Sequence, residues 1–237
     1  MADRPGSMTE PVAAVGWTRT LLICGIVAGP LYIVVVVLQM LTRDGFDISR
    51  HPASMLSNGE QGWIQIANFA VSGLLFVACA IGLYRVLGPA SGPGGTWGPR
   101  LVGVFGVGMV AAAAFSADPA DGFPPGTPVG PPTSISWHGM VHFLVAGVAF
   151  LALSAGCFVF ARRFAAAGHR GWAVFSAVTG AFFLATWVSI FVLQGARAAN
   201  IAFAVAIALV LVWTSLLAKH RLTLPREEQS RGTRPVG

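Results

Sequence analysis

Apolar residues run through this chain in long unbroken stretches, and polar residues gather at the ends of those stretches. A helix needs roughly 20 apolar residues to cross a hydrocarbon core about 30 Å thick. Six stretches reach that length, and the pattern predicts helices at 19–41, 63–87, 99–117, 137–161, 171–194 and 198–218. A membrane β-barrel would instead show alternating segments of about 10 residues. The continuous runs from Leu31 to Leu38 and from Ile201 to Trp213 exclude that pattern. The expected fold is therefore an all-α, polytopic bundle of six transmembrane helices. Its domain spans 19–218, between an N-terminal tail (1–18) and a basic C-terminal tail (219–237). The first stretch is too long for a signal core and reads as a retained helix kinked at Pro30.

Composition agrees. Of 237 residues, 55% are hydrophobic and only 10% are charged, against about 25% charged in an ordinary soluble domain. The mean hydropathy is +0.71. A soluble enzyme, a disordered chain and a disulfide scaffold are all excluded. Alanine, glycine and arginine are abundant and there is one lysine, a composition that suggests a GC-rich bacterial genome.

The net charge of +6 follows from topology rather than from a nucleic-acid partner. Six spans put both termini on one side with the second and fourth loops. That side carries 12 of the 15 basic residues, and the other carries Arg43, Arg50 and Arg197. Lys and Arg mark cytoplasmic loops, so both termini are expected in the cytoplasm of a cell-membrane protein. Cys24, Cys79 and Cys157 fall within spans and read as small buried residues.

Lipid gives no hydrophobic drive for helix association, so small residues must let backbones approach. Gly25 and Gly29 form a GxxxG. Gly103, Gly106 and Gly108 make the third span glycine-rich, and Gly139, Gly147 and Gly156 line the fourth. The expectation is that spans one, three and four pack closely within one chain, with the third at the centre. The linker at 88–98 carries no evident chemistry. The proline-rich loop at 118–136 is expected to be stiff and extended. His169 and His220 read as solvated.

Intramembrane or near-membrane polar residues are costly and mark function by default. Away from the basic side they gather at one end of the bundle. The first loop contributes Asp44, Asp47, His51, Ser54 and Glu60, and the next span opens with Gln65 and Asn68. Asp118 ends the third span, with Asp121 beyond it. His138 and His142 open the fourth, and Gln194, Arg197 and Asn200 follow the fifth. One polar cavity facing outward is expected.

His138-Gly-Met-Val-His142 places two imidazoles on one helix face, one turn apart. With Asp118 or His51 they would make a tetrahedral site for zinc. Asp118, an anion at the negative end of a helix dipole, would want a metal or Arg197 beside it. The motif lacks the glutamate of HExxH proteases, so structural hydrogen bonding stands as the default reading. Asp118 and Asp121 are equally compatible with turn roles or a salt bridge to Arg197. His51 is a candidate base for Ser54, against a capping role for that serine, since no nucleophile-elbow context exists. Ser134 and Ser136 are candidate caps for the fourth helix.

The strings HPASMLSNGEQGWIQIANF, FSADPADGFP and WHGMVHF resemble the domain of unknown function 998 family of multi-helix bacterial and archaeal membrane proteins. The matched positions are His51, Pro52, Ser54, Trp63, Asn68, Asp118, Pro119, His138 and His142. The resemblance covers about 21–217. It implies a multi-helix membrane fold and no settled activity. A looser likeness in residue types links the Ser, Asp and HxxxH set to ceramidase-like and adiponectin-receptor-like hydrolases. Those have seven helices with the motif on the last. Three expectations stand together: a metal-dependent hydrolase of a lipid-like amide or ester, a transporter or small-ligand-binding protein, and a non-catalytic scaffold or sensor.

Overall fold

The computed structural model describes residues 12–88, 93–130, 132 and 134–223. It is built from six helices: α1 (Val12–Thr42), α2 (Gly62–Leu87), α3 (Pro93–Ala114), α4 (Trp137–Ala166), α5 (Arg170–Val192) and α6 (Arg197–Thr223). A short 3-10 helix, Ala53–Ser57, lies between α1 and α2. All six are long and apolar enough to cross a membrane. Helix α1 begins before the expected tail ends, and α6 runs past residue 218. The rest of both tails, 1–11 and 224–237, lies outside the described residues, as do 89–92, Pro131 and Thr133.

Each helix packs on the next in sequence, and α6 packs back on α1, so the six close into a ring. This corrects the expected packing of the first span on the third and fourth, and the placing of α3 at the centre. In the closed ring α3 touches its neighbours α2 and α4, while α1 lies against α2 and α6. The small residues still do the work expected of them. A Cβ added at Gly29 would come within 2.6 Å of the Leu211 carbonyl oxygen, and one at Gly25 would run into Cys79. On α3, a Cβ at Gly106 would come within 2.8 Å of the Gly73 oxygen on α2. One at Gly108 would lie 2.6 Å from the Cβ of Ala149 on α4.

The two ends of the ring differ. The end at which α1 begins and α6 ends is packed with large apolar side chains. Phe76, Leu83, Phe160, Phe164, Trp213 and Leu217 are fully buried there. The Trp213 indole N–H donates to Ser176 Oγ at 3.0 Å, so its one polar group is satisfied. His220 is half-buried against Trp172, with ring centroids 4.6 Å apart, which corrects the solvated reading; His169 is exposed.

The other end is capped by the two long loops. Arg43, half-buried, donates from its guanidinium to the carbonyls of Leu56 (3.0 Å) and Asn58 (2.6 Å) and lies over the Phe123 ring. Burial lowers its pKa. The proline-rich loop is not extended, contrary to expectation. Asp121 N–H bonds to the Gly130 oxygen, Gly122 N–H to Pro128, and Gly130 N–H to Asp121 Oδ1. These bonds fold 121–130 back on itself, because Gly122, Gly126 and Gly130 supply left-handed backbone where the prolines alone would hold the chain straight.

Candidate functional site

The capped half of the ring is hollow. A cavity of about 560 Å³ sits between all six helices. Its walls are apolar and aromatic: Phe69, Phe105, Met109, Phe150, Phe183, Phe203 and Leu211. Its polar lining comes from Arg50, Ser54, Asp118, Asp121, His142, Gln194 and Asn200. An apolar chamber with a few polar groups is the usual form of a small-molecule site.

Asp121 pairs with Arg50, not with Arg197. Two guanidinium nitrogens reach the carboxylate at 2.8 and 3.0 Å, and a third contact reaches the Asp121 carbonyl. The Arg50 hydrogen bonds, helped by the Gly130 N–H, hold the Asp121 carboxyl down to about 2. The same pairing raises Arg50. Arg197 is exposed at the first position of α6 and lies outside the cavity lining. Asp47 is kept below the usual carboxylate range by its hydrogen bonds with Ser49.

His51 is fully buried and both ring nitrogens are occupied. The Asp47 N–H donates to Nδ1 at 3.0 Å, so the ring proton sits on Nε2, which donates to the Asp121 carbonyl at 2.9 Å. Phe46 and Phe123 pack on its faces. It therefore ties the two loops together and is not paired with Ser54. Ser54 lines the cavity, and its carbonyl accepts from Ser57 Oγ at 2.7 Å.

Asp118 stands beyond the last residue of α3 rather than within it. It faces the start of α4. Its Oδ2 accepts from the Ser136 N–H at 2.8 Å, and its carboxylate lies where a Cβ on Gly139 would be. Ser136 Oγ in turn accepts from the Gly139 N–H at 3.0 Å, as a capping serine should. The charge thus meets the positive end of α4, which removes the need for a metal or Arg197 that the expected position at the negative end of α3 had implied.

The two histidines of the HxxxH motif part company. His138 is exposed and its ring lies tilted against that of Trp137, with centroids 3.7 Å apart. His142 is buried, and its Nδ1 donates to the Phe115 carbonyl at 2.8 Å, which α3 leaves open as it ends. Among the described residues no group of three His, Cys, Asp or Glu side chains is arranged to hold a metal ion. Asp118, His138 and His142, the expected zinc set, each meet a different partner here: the Ser136 N–H, the Trp137 ring and the Phe115 carbonyl.

Gln65 and Asn68 also lie outside the cavity lining. They form a buried seam with α1: Gln39 Nε2 donates to Gln65 Oε1 at 2.9 Å, Gln65 Nε2 to the Tyr32 hydroxyl at 3.3 Å, and Ser72 Oγ to Asn68 Oδ1 at 3.2 Å. Gln39 and Tyr32 were not singled out from the sequence, since each looks isolated within a long apolar run. Arg50 was read only as a topology marker, although it adjoins His51. The aromatic walls carried no sequence signal that separates cavity lining from lipid-facing surface.

No curated protein and no solved structure matches the chain. The family model described as Protein of unknown function (DUF998) matches residues 26–220. The match begins within α1 and ends within α6, so it takes in the loop cap and most of the ring, and the chain belongs to the domain of unknown function 998 family.

Proposed function

We propose that this is a multi-pass membrane protein that binds a single-chain amphiphile, with the hydrocarbon tail in the aromatic chamber and the headgroup at the loop cap. The observation that carries this reading is the division of the cavity lining. Phe105, Phe150, Phe183 and Phe203 wall the interior, while Arg50, Ser54, Asp118 and Asp121 come from or border the capping loops. In this reading the cap faces outward and both termini lie in the cytoplasm, in keeping with the 12 basic residues on the terminal side. Binding is favoured over passage because the terminal half is filled by Phe76, Phe160, Phe164 and Trp213. Binding is favoured over hydrolysis because His51 and Ser54 are not paired.

The test is titration of the purified protein in detergent with a pyrene-tailed monoacylglycerol. Ala146 lines the cavity and is half-buried, so Ala146→Trp fills the chamber. Saturable binding by the wild type and a loss of about tenfold or more in affinity by the variant are expected. Equal binding by both, or none by the wild type, overturns the reading.

A further inference from the structure

The polar groups at the cavity are unequal in kind. Where their hydrogens go can be followed atom by atom, and the result bears on which headgroups fit.

His142 is only 3% exposed. The Phe115 carbonyl can only accept, so the ring proton sits on Nδ1 and points at it. In the neutral ring Nε2 keeps its lone pair, and it has no hydrogen-bond partner among the described residues. Asn200, 5% exposed, is in the same position. Its Nδ2 donates to the carbonyls of Ser49 and Gly195, each at 3.0 Å. Its Oδ1 has no partner among the described residues. Asp118 uses Oδ2 for the Ser136 N–H, which leaves Oδ1 without a hydrogen-bond donor among the described residues. All three residues line the cavity.

The charged and helix-terminal donors, by contrast, are largely committed, while the Ser54 hydroxyl and the Gln194 amide can each both donate and accept. The Arg50 guanidinium holds the Asp121 carboxylate with two nitrogens and also reaches its carbonyl, leaving Nη1 free of a hydrogen bond. The N–H groups of Ser136 and Gly139 at the start of α4 are taken by Asp118 and Ser136. The Asp118 carboxylate thus already stands at that helix terminus as its anion. Among charged residues the cavity is lined by one cation against two anions. Acceptors on cavity-lining residues that lack a protein donor are available to a ligand that brings one.

We propose that the cavity selects amphiphiles whose headgroup donates hydrogen bonds, a polyol or an ammonium, and rejects those with an anionic or donor-free headgroup. His142 Nε2 and Asn200 Oδ1 receive the donors, and Asp118 supplies the charge complementary to an ammonium. The proposal rests on the reading of the cavity as an amphiphile site, and the experiment separates the two.

Four probes share one pyrene-labelled acyl or alkyl tail and differ in headgroup: glycerol ester, primary amine, methyl ester and phosphate monoester. They are titrated into the full chain in neutral detergent. The glycerol ester and the amine are expected to bind about tenfold tighter than the methyl ester, the worth of one buried hydrogen bond. The phosphate monoester is expected to bind weakest. In His142→Phe, which keeps the ring, the advantage of the glycerol ester falls and methyl ester binding is unchanged. Asp118→Asn, which keeps an acceptor for Ser136, weakens the amine and spares the glycerol ester. Equal affinity for all four headgroups overturns the donor-selection proposal and leaves the amphiphile site standing. Tightest binding of the phosphate overturns it in favour of Arg50 as the recognition group. No binding of any probe overturns both.

Discussion

The carboxylate of Asp118 occupies the space that a side chain on Gly139 would fill, while its Oδ2 accepts the Ser136 N–H at 2.8 Å. An anion from the loop after α3 thus closes the start of α4, and the missing Cβ is what lets it approach. The pair joins two helices at the rim of the cavity and sets where the Asp118 charge lies.

Gly139→Ala should therefore act through Asp118. Helix caps are worth about 0.5–2 kcal/mol, and a loss in that range is expected for either Gly139→Ala or Asp118→Ala. Since both remove one contact, the double variant should lose less than the sum of the two. Thermal unfolding in detergent measures the cycle, and strict additivity would show that the two residues act independently.

The Arg50–Asp121 clamp should give the loop cap an acid-sensitive term. The Asp121 carboxyl sits at about 2, below its ordinary range, because Arg50 and the Gly130 N–H bind its charged form. A depressed carboxylate contributes stability that is complete above its unfolded value near 4 and fades as pH falls toward 2. Hydrogen-exchange protection in 121–130, taken relative to the intrinsic rate at each pH, should fall over that window in the wild type. Asp121→Asn should be less protected at pH 7 and lack that acid-dependent fall. Parallel profiles for the two proteins would remove Asp121 as the titrating group.

Gly29→Ala should loosen the closure of the ring. A Cβ there meets the Leu211 carbonyl at 2.6 Å and Ser215 Oγ at 2.7 Å, both on α6. Overpacking of this kind costs about 1–3 kcal/mol. The loss should appear in unfolding of the protein at any dilution, because the contact is within one chain. A loss that vanished on dilution would place the GxxxG between chains instead.

Much of the architecture is legible along the chain. The spans at 63–87 and 137–161 match α2 and the first part of α4, because apolar length is a local property. The start of α3 was hidden. Pro93 read as linker and Pro99 as the first residue of the span, yet both lie in the helix. The site was legible as a cluster of polar residues at one end, not as partnerships. Asp121 was weighed against Arg197 and found Arg50. Asp118 was assigned to the negative end of one helix and serves the positive end of the next. His138 and His142 were read as sharing a face, yet one is exposed and the other is buried.

By itself the sequence determined that six helices are long and apolar enough to cross a membrane and that their polar groups gather at one end. Both follow from the cost of placing backbone and charge in hydrocarbon, which is paid residue by residue wherever the helix lies. Only the tertiary structure decided that the helices close into a ring around a hollow half, and which partner each polar group takes. Arg50 and Asp121 are 71 positions apart, and Asn200 and Ser49 are 151 apart. Such pairings depend on how the loops fold over the ring, which Gly122, Gly126 and Gly130 permit but no local pattern specifies.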